Sequence, residues 1–256
     1  MRHWPLRSGP RRPWPERVLL LPARAVDAVE EMDREDCEPV RLDRTYAQFS
    51  LVNRAVSGWR GIYLRQLRPL LTRERVTTLL DIGCGGGDVP VQLSRWAERD
   101  GLRLEITGID PDPRAAAFAA RRSRSGVVFR RQTSTELLAA GERYDVVVSN
   151  HVLHHLSPEV LPRFLAESAA LSTGAVLHND LRRSAAAFAL FSVGALPFRG
   201  SYIRQDGLTS IRRSYTPDEL RAAAPPGWAV LPGFPYRNVL IHRATTSGEP
   251  NSRAGA

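Results

Sequence analysis

Hydrophobic and polar positions switch repeatedly between two periods along this chain, and the switches mark out its elements. Short, continuously apolar runs at 76–82, 102–109, 127–130, 144–149 and 175–179 have the length of buried strands. Between them, stretches at 89–98, 113–122, 135–140 and 158–171 read as helices. This βαβα order, with strands apolar throughout rather than alternating, predicts a parallel sheet covered on both faces. The beat is interrupted by an insertion at 182–214. A short helix at 217–224 follows, then two strands at 228–232 and 238–242, close enough around Gly233-Phe234-Pro235 to form an antiparallel edge hairpin. Upstream, 25–71 reads as a helical cover. Ala47, Leu51, Arg54 and Ala55 share one helical period, and Ile62, Leu64, Leu67 and Leu71 another, with Pro69 marking a break.

At 256 residues the chain fits one domain, placed at 25–243, and its 43% hydrophobic and 25% charged residues are those of a globular protein. Residues 1–24 are rich in arginine and proline and are expected to be disordered, with 1–17 also readable as an over-extended start. Residues 244–256, small and polar, are expected to form a flexible tail. The net charge of +9 brings nucleic acid into view. However, positive charge is dense in the first residues and every basic side chain is an arginine, which favours a solvated tail and an ordinary surface. Cys37 lies in a polar stretch and Cys84 in a glycine loop, which argues against a disulfide and for a reducing, cytoplasmic setting. No apolar run approaches the ~20 residues of a membrane span. Arg11-Arg12 precedes too short an apolar segment to serve as an export signal.

The chemistry starts at Leu79-Leu80-Asp81-Ile82-Gly83-Cys84-Gly85-Gly86-Gly87-Asp88. A strand feeds a glycine turn that opens a helix, which allows a nucleotide-like ligand to approach the backbone closely. A dinucleotide fingerprint would place its third glycine where Asp88 stands. Asp81 would repel a pyrophosphate, but it suits a sulfonium and an ammonium group. Asp110 ends the next strand, where a carboxylate can take both hydroxyls of a ribose. Over roughly 76–156 these residues closely resemble the class I methyltransferases that use S-adenosylmethionine. Tyr144-Asp145-Val146-Val147-Val148-Ser149-Asn150 resembles that family's fourth strand. The resemblance implies a Rossmann-like, doubly wound α/β sheet of seven strands, mostly parallel with an antiparallel edge hairpin, plus N-terminal helices. It implies S-adenosylmethionine as cofactor, bound by Asp81, Gly83, Gly85, Gly87, Asp110 and Asn150. Many members carry an acid after the third strand that holds the adenine amino group. Here Thr133 stands at that place and joins the cofactor set.

Transfer of a methyl group from a sulfonium requires alignment and exclusion of water more than covalent help. A phenolic acceptor gains from a general base, and histidine suits neutral pH. His151, His154, His155 and His178 all fall near the carboxyl ends of strands four and five, where ligands bind in such sheets. His154 is the first candidate base, with His151 and His155 beside it. His151 and His155 have the i, i+4 spacing of metal ligands, but the sequence offers no clear third ligand and no metal is expected. Asp180 is a second candidate base, or more favourably the ion-pair partner of a nearby arginine. Phe188, Phe191, Phe198 and Tyr202 of the insertion, with Tyr46, Phe49 and Trp59, read as walls of an apolar acceptor pocket. The layout resembles small-molecule methyltransferases of bacterial secondary and quinone metabolism. The expected function is O-methylation of a small hydroxylated aromatic or polyketide, with C-methylation of a quinol ring as the alternative. Amino-methylating nucleic-acid enzymes carry an Asn-Pro-Pro-Tyr-type tetrapeptide after strand four. Ser149-Asn150-His151-Val152 replaces it here, and a nucleic-acid substrate is the less favoured reading.

Overall fold

In the computed structural model, which describes Leu21 and residues 23–244, the first long helix begins only at Pro39. Helix α1 (Pro39–Val56) starts on a proline, whose missing N–H is no loss in a first turn. Helix α2 (Trp59–Ile62) follows and continues through a π-helical turn, Tyr63–Leu67, and a 3₁₀ turn, Arg68–Leu70. The helical cover therefore starts later than the pattern over 25–71 predicts. Before Pro39 the only helical piece among the described residues is a 3₁₀ turn, Glu31–Asp33, because this acidic segment has too few apolar side chains to bury a helical face. The two tail expectations concern mainly residues 1–20, 22 and 245–256, which lie outside the described residues.

Strand and helix then alternate as the pattern predicts. β1 (Thr77–Ile82), α3 (Asp88–Arg99), β2 (Leu104–Ile109), α4 (Pro113–Ala120), β3 (Val127–Arg130) and α5 (Ser134–Ala139) come first. β4 (Tyr144–Asn150), α6 (Leu161–Leu171) and β5 (Ser172–Leu181) follow. The insertion forms α7 (Ala185–Gly194) and α8 (Ile203–Arg213), and α9 (Pro217–Ala223) leads to β6 (Trp228–Gly233) and β7 (Arg237–Arg243). The seven strands lie in the order β3-β2-β1-β4-β5-β7-β6. The first five are mutually parallel, and β7 runs antiparallel to both β5 and β6. Winding reverses between β1 and β4, which opens a crevice at the carboxyl ends of those strands.

Alternate strand residues feed two cores. Leu79, Ile106, Val146 and Leu177 face Trp59, Tyr63, Leu67 and Leu93 on one side of the sheet. Leu80, Ile109, Val147 and Val176 face Leu137, Leu161 and Leu165 on the other. Truncating a wholly buried leucine such as Leu80 to alanine is expected to cost ~2–5 kcal/mol. A third, smaller cluster joins Leu42 and Tyr46 of α1 to Ala115 of α4 and to Tyr202, and it holds the N-terminal helices over the glycine loop. Among the described residues, no helix is long and apolar enough to cross a membrane.

Candidate active site

The loop between β1 and α3 is tied down by its own backbone. The N–H groups of Gly83 and Cys84 both donate to the Ile109 carbonyl, at 2.9 and 3.0 Å. Gly85 N donates to Asp110 Oδ2 and Asp112 N to Asp110 Oδ1, each at 2.9 Å, so one carboxylate organises the ends of both β1 and β2. Gly83, Gly85 and Gly87 have φ of 69°, 52° and 76°, a region that side chains enter only under strain. Their surroundings differ. A Cβ on Gly83 would lie 2.7 Å from Val152, and one on Gly87 2.5 Å from Phe129, whereas one on Gly85 meets nothing within 4 Å. Of the three, Gly85 is the one whose missing side chain leaves open space.

A cavity of about 950 Å³ lies over these strand ends. Asp81, Gly83, Gly85, Asp110, Thr133 and Asn150 line one end of it, while Gly87 stands behind the loop and does not. Asp81 is buried and its Oδ1 has no hydrogen-bond partner. Burial, reinforced by Asp88 and Asp110, pushes its carboxyl well above the usual range, and burial also raises Asp88 and Asp110. An unpartnered buried carboxylate beside an open glycine fits a cationic ligand that needs close backbone approach, as S-adenosylmethionine does. Two members of the expected cofactor set have their side chains engaged elsewhere. Asn150 Oδ1 accepts from Trp59 Nε1 at 3.0 Å and from Asn179 Nδ2 at 2.9 Å. Thr133 is the N-cap of α5: its hydroxyl accepts from Glu136 N at 3.2 Å, and its N–H donates to Glu136 Oε2 at 2.7 Å.

Phe191, Phe198 and Ile211 supply apolar lining to the cavity, and Tyr46 and Phe49, in ring contact with each other, line it as well. Trp59 instead belongs to the core, and the Tyr202 hydroxyl accepts from Glu38 N at 2.8 Å. His151, His154 and His155 line the same cavity. His151 has φ 62° and Leu153–His155 is a 3₁₀ turn, so His151 and His155 do not share a face of an α-helix. The guanidinium of buried Arg237 donates to His151 Nε2 and takes up that lone pair. Burial and the Arg237 charge hold His151 well below the ordinary imidazole value.

His154 is buried, and its Nδ1 lies 2.7 Å from Asp180 Oδ1. Its backbone N–H donates to Asp180 Oδ2, also at 2.7 Å. The expected Asp180–arginine pair is therefore replaced by Asp180–His154, and Arg183 bonds Glu219 instead. The cause is β5, which extends past the predicted 175–179 to Leu181 and turns Asp180 under the His154 turn. On its other side, His154 Nε2 lies 3.3 Å from Glu30 Oε1. Burial opposes charge on His154, but the two flanking carboxylates outweigh it and raise its pKa. Burial likewise opposes charge on Asp180 and Glu30, and the imidazoles hold both below the usual carboxylate range. His155 completes the cluster, with Nδ1 3.2 Å from Asp33 Oδ2 and Nε2 3.8 Å from Glu30 Oε1. Glu30 escaped sequence reasoning: it sits in an acidic run far from any histidine, and nothing in its spacing singles it out.

A family model for a methyltransferase domain matches residues 79–173. A ubiquinone biosynthesis O-methyltransferase from Methylobacterium sp. (strain 4-46) is 34% identical over 157 residues, 60% of this chain and 60% of that protein. The chain thus spans less than two thirds of the length of such curated relatives. Human N-acetylserotonin methyltransferase, solved with S-adenosylmethionine, superposes with a TM-score of 0.53 at 14% identity, covering 77% of this chain and 54% of that one. The plantazolicin methyltransferase BpumL, solved with S-adenosylhomocysteine, gives 0.50 at 14% identity over 80% and 96% of the two chains. At these identities the two structures speak for the fold. Glycine loop, carboxylates and strand order agree with the family-model match: residues 79–173 carry a methyltransferase domain, on the fold of the class I S-adenosylmethionine-dependent enzymes.

Proposed function

We propose that this protein transfers the methyl group of S-adenosylmethionine to a hydroxyl of a small aromatic or polyketide acceptor. The observation that carries this reading is continuity: one cavity is lined by Asp81, Gly85 and Asp110, by apolar side chains and by the histidine cluster. S-adenosylmethionine supplies an electrophilic methyl group on a good leaving sulfide. Asp81, Gly85 and Asp110 hold it, Gly83 and Gly87 shape the loop, and Asn150 and Thr133 contribute wall. The Glu30–His154–His155 cluster lies beside the acceptor hydroxyl and assists its deprotonation, while His151 lines the same space with Arg237 on its lone pair. Enclosed walls of phenylalanine and isoleucine favour a compact apolar acceptor over a polymer. The matching curated relatives are named for O-methylation, which supports oxygen over ring carbon as the methylated atom.

The test is incubation with labelled donor and a panel of phenols, quinols and hydroxylated polyketides, with product masses and fragmentation read out. A methyl ether on a hydroxylated ring is expected. Methyl groups found only on carbon, or only on added RNA or DNA, would overturn the reading.

A further inference from the structure

We propose that Glu30, His154 and His155 form a binding site for a divalent transition-metal cation at the acceptor end of the cavity. The part this cation plays in methyl transfer rests on the acceptor reading above, but its binding does not. Glu30, His154 and His155 each offer one ligand atom, and the three lie within 4.8 Å of one another. The two ring nitrogens stand 3.3 and 3.8 Å from the shared carboxylate oxygen. Ligands ~2.0–2.2 Å from a tetrahedral zinc-like ion stand ~3.3–3.6 Å apart. His154 Nε2 is also buried without a hydrogen-bond partner, so the nearby Glu30 oxygen does not satisfy it as an acceptor or donor would.

Both rings are oriented as metal ligands are. The Nδ1 of His154 is held by Asp180 at 2.7 Å and that of His155 lies 3.2 Å from Asp33, which turns each Nε2 toward Glu30. Ser210 Oγ donates to Glu30 Oε1 at 2.8 Å and fixes the third ligand. Charge points the same way. Three carboxylates, Glu30, Asp33 and Asp180, are met by the Arg213 guanidinium, 4.0 Å from both Glu30 and Asp33. The carboxylates around the two imidazoles attract a divalent cation. Two imidazoles and one carboxylate suit zinc, cobalt, nickel or ferrous iron, whereas magnesium and calcium take oxygen ligands. All three residues line the cavity, which leaves coordination positions for an acceptor hydroxyl. Coordination lowers the pKa of that hydroxyl: its proton passes to water and the oxygen keeps the electron pair that attacks the methyl carbon as the sulfur–carbon bond breaks.

The experiment uses the untagged full chain, stripped with a chelator and titrated with Co²⁺ in the absence of cofactor and acceptor. A single equivalent with visible d–d bands is expected, displaced by Zn²⁺. Glu30→Gln and His155→Ala should each weaken Co²⁺ binding at least ~10-fold, with melting curves confirming that both variants fold. Absence of the bands, or unchanged binding in both folded variants, would overturn the site. Metal-free protein that methylates phenols at the full rate would overturn the cation's role and leave the proposed function standing. Co²⁺-binding protein that methylates no hydroxylated acceptor would overturn the proposed function and leave the site standing.

Discussion

The donor end of the cavity draws Asp81, Gly85 and Asp110 from a single βαβ unit, whereas the acceptor end draws Glu30 and His154 from its lining and Asp180 and Arg213 from behind it, four separate segments. Their electrostatics differ in the same sense. At the donor end burial and mutual repulsion raise the carboxyls, and Asp81 keeps an unpartnered oxygen. At the acceptor end carboxylates and imidazoles stand against each other, and the same desolvation is overcome. The donor end is thus a cradle that a cationic ligand completes. The acceptor end is a compensated network that holds together before any acceptor arrives.

Cutting one member from each end breaks or upholds that contrast. His154→Ala leaves Asp180 and Glu30 buried without their shared imidazole, and breaking a buried pair this way costs ~3–5 kcal/mol. Transfer per folded molecule should fall ~10²–10⁴-fold, the range of a lost acid–base group. Asp81→Asn should do the reverse. By removing one of three converging acids it leaves the free protein as stable as before or more so, while affinity for S-adenosylmethionine falls ~10–100-fold through a lost charged hydrogen bond. Melting temperatures with and without donor, together with kcat, decide it. An unfolded Asp81→Asn, or a His154→Ala as stable as the parent, would erase the distinction.

The loop glycines sharpen it further. Gly85→Phe projects into open cavity and should abolish donor binding in calorimetry, at a folding cost limited to the ~1–2 kcal/mol of a side chain in the left-handed region. Gly87→Ala meets Phe129 at 2.5 Å behind the loop, and should cost ~1–3 kcal/mol of stability with a smaller effect on affinity. If both variants lose binding and stability alike, the loop is a single packed unit with no ligand face of its own.

What the sequence made legible follows this division. The donor end could be read because its residues are neighbours along the chain: Asp81, Gly85 and Asp110 announce themselves by spacing, and the apolar runs that carry them fix the strands. His154 was legible as a candidate for the same reason, lying just after β4. Its partners were not. Glu30 and Arg213 reach it only through tertiary packing, and the sequence points Asp180 at an arginine because Arg182 and Arg183 stand just beyond Leu181. Thr133 shows a subtler limit, since a position defined by its place after β3 was read as a ligand contact although Glu136 three residues on supplies the capping box.

A buried histidine outside both ends provides a reference for the pH behaviour. His178 lies on β5 with Nδ1 2.8 Å from Ser149 Oγ and its ring stacked on Trp228, and no carboxylate touches it. Burial lowers its pKa to about 3. An unfolded histidine takes up its proton near ~6.5. Below that pH the unfolded state binds a proton that the folded state refuses, so this residue makes stability fall as pH drops from 6.5 toward 3. The slope from this one group is at most ~1.4 kcal/mol per pH unit. Urea denaturation of the parent and of His178→Asn at neutral and mildly acidic pH should differ in slope by about that amount. Equal slopes would mean that His178 is charged in the folded protein.

The smallest effect is expected at Thr133, where the sequence and the structure offer different jobs for one hydroxyl. As a cofactor contact, Thr133 would lose affinity for S-adenosylmethionine on conversion to alanine. As the N-cap of α5, it would lose its two hydroxyl bonds to Glu136, roughly 1 kcal/mol for a typical cap. The hydroxyl already accepts from that N–H and also donates to Glu136 Oε2 at 3.0 Å, so both of its polar functions are engaged within the capping box. Gln132 and Ser134 line the cavity on either side and present polar groups there without disturbing the cap. Thr133→Ala should therefore lower the melting temperature by about 2–4 °C and leave donor affinity within about twofold, a free-energy change of ~0.4 kcal/mol. Calorimetry and a melting curve on the same preparation separate the two jobs. A tenfold loss of affinity with an unchanged melting temperature would assign the hydroxyl to the ligand and leave α5 capped by other means.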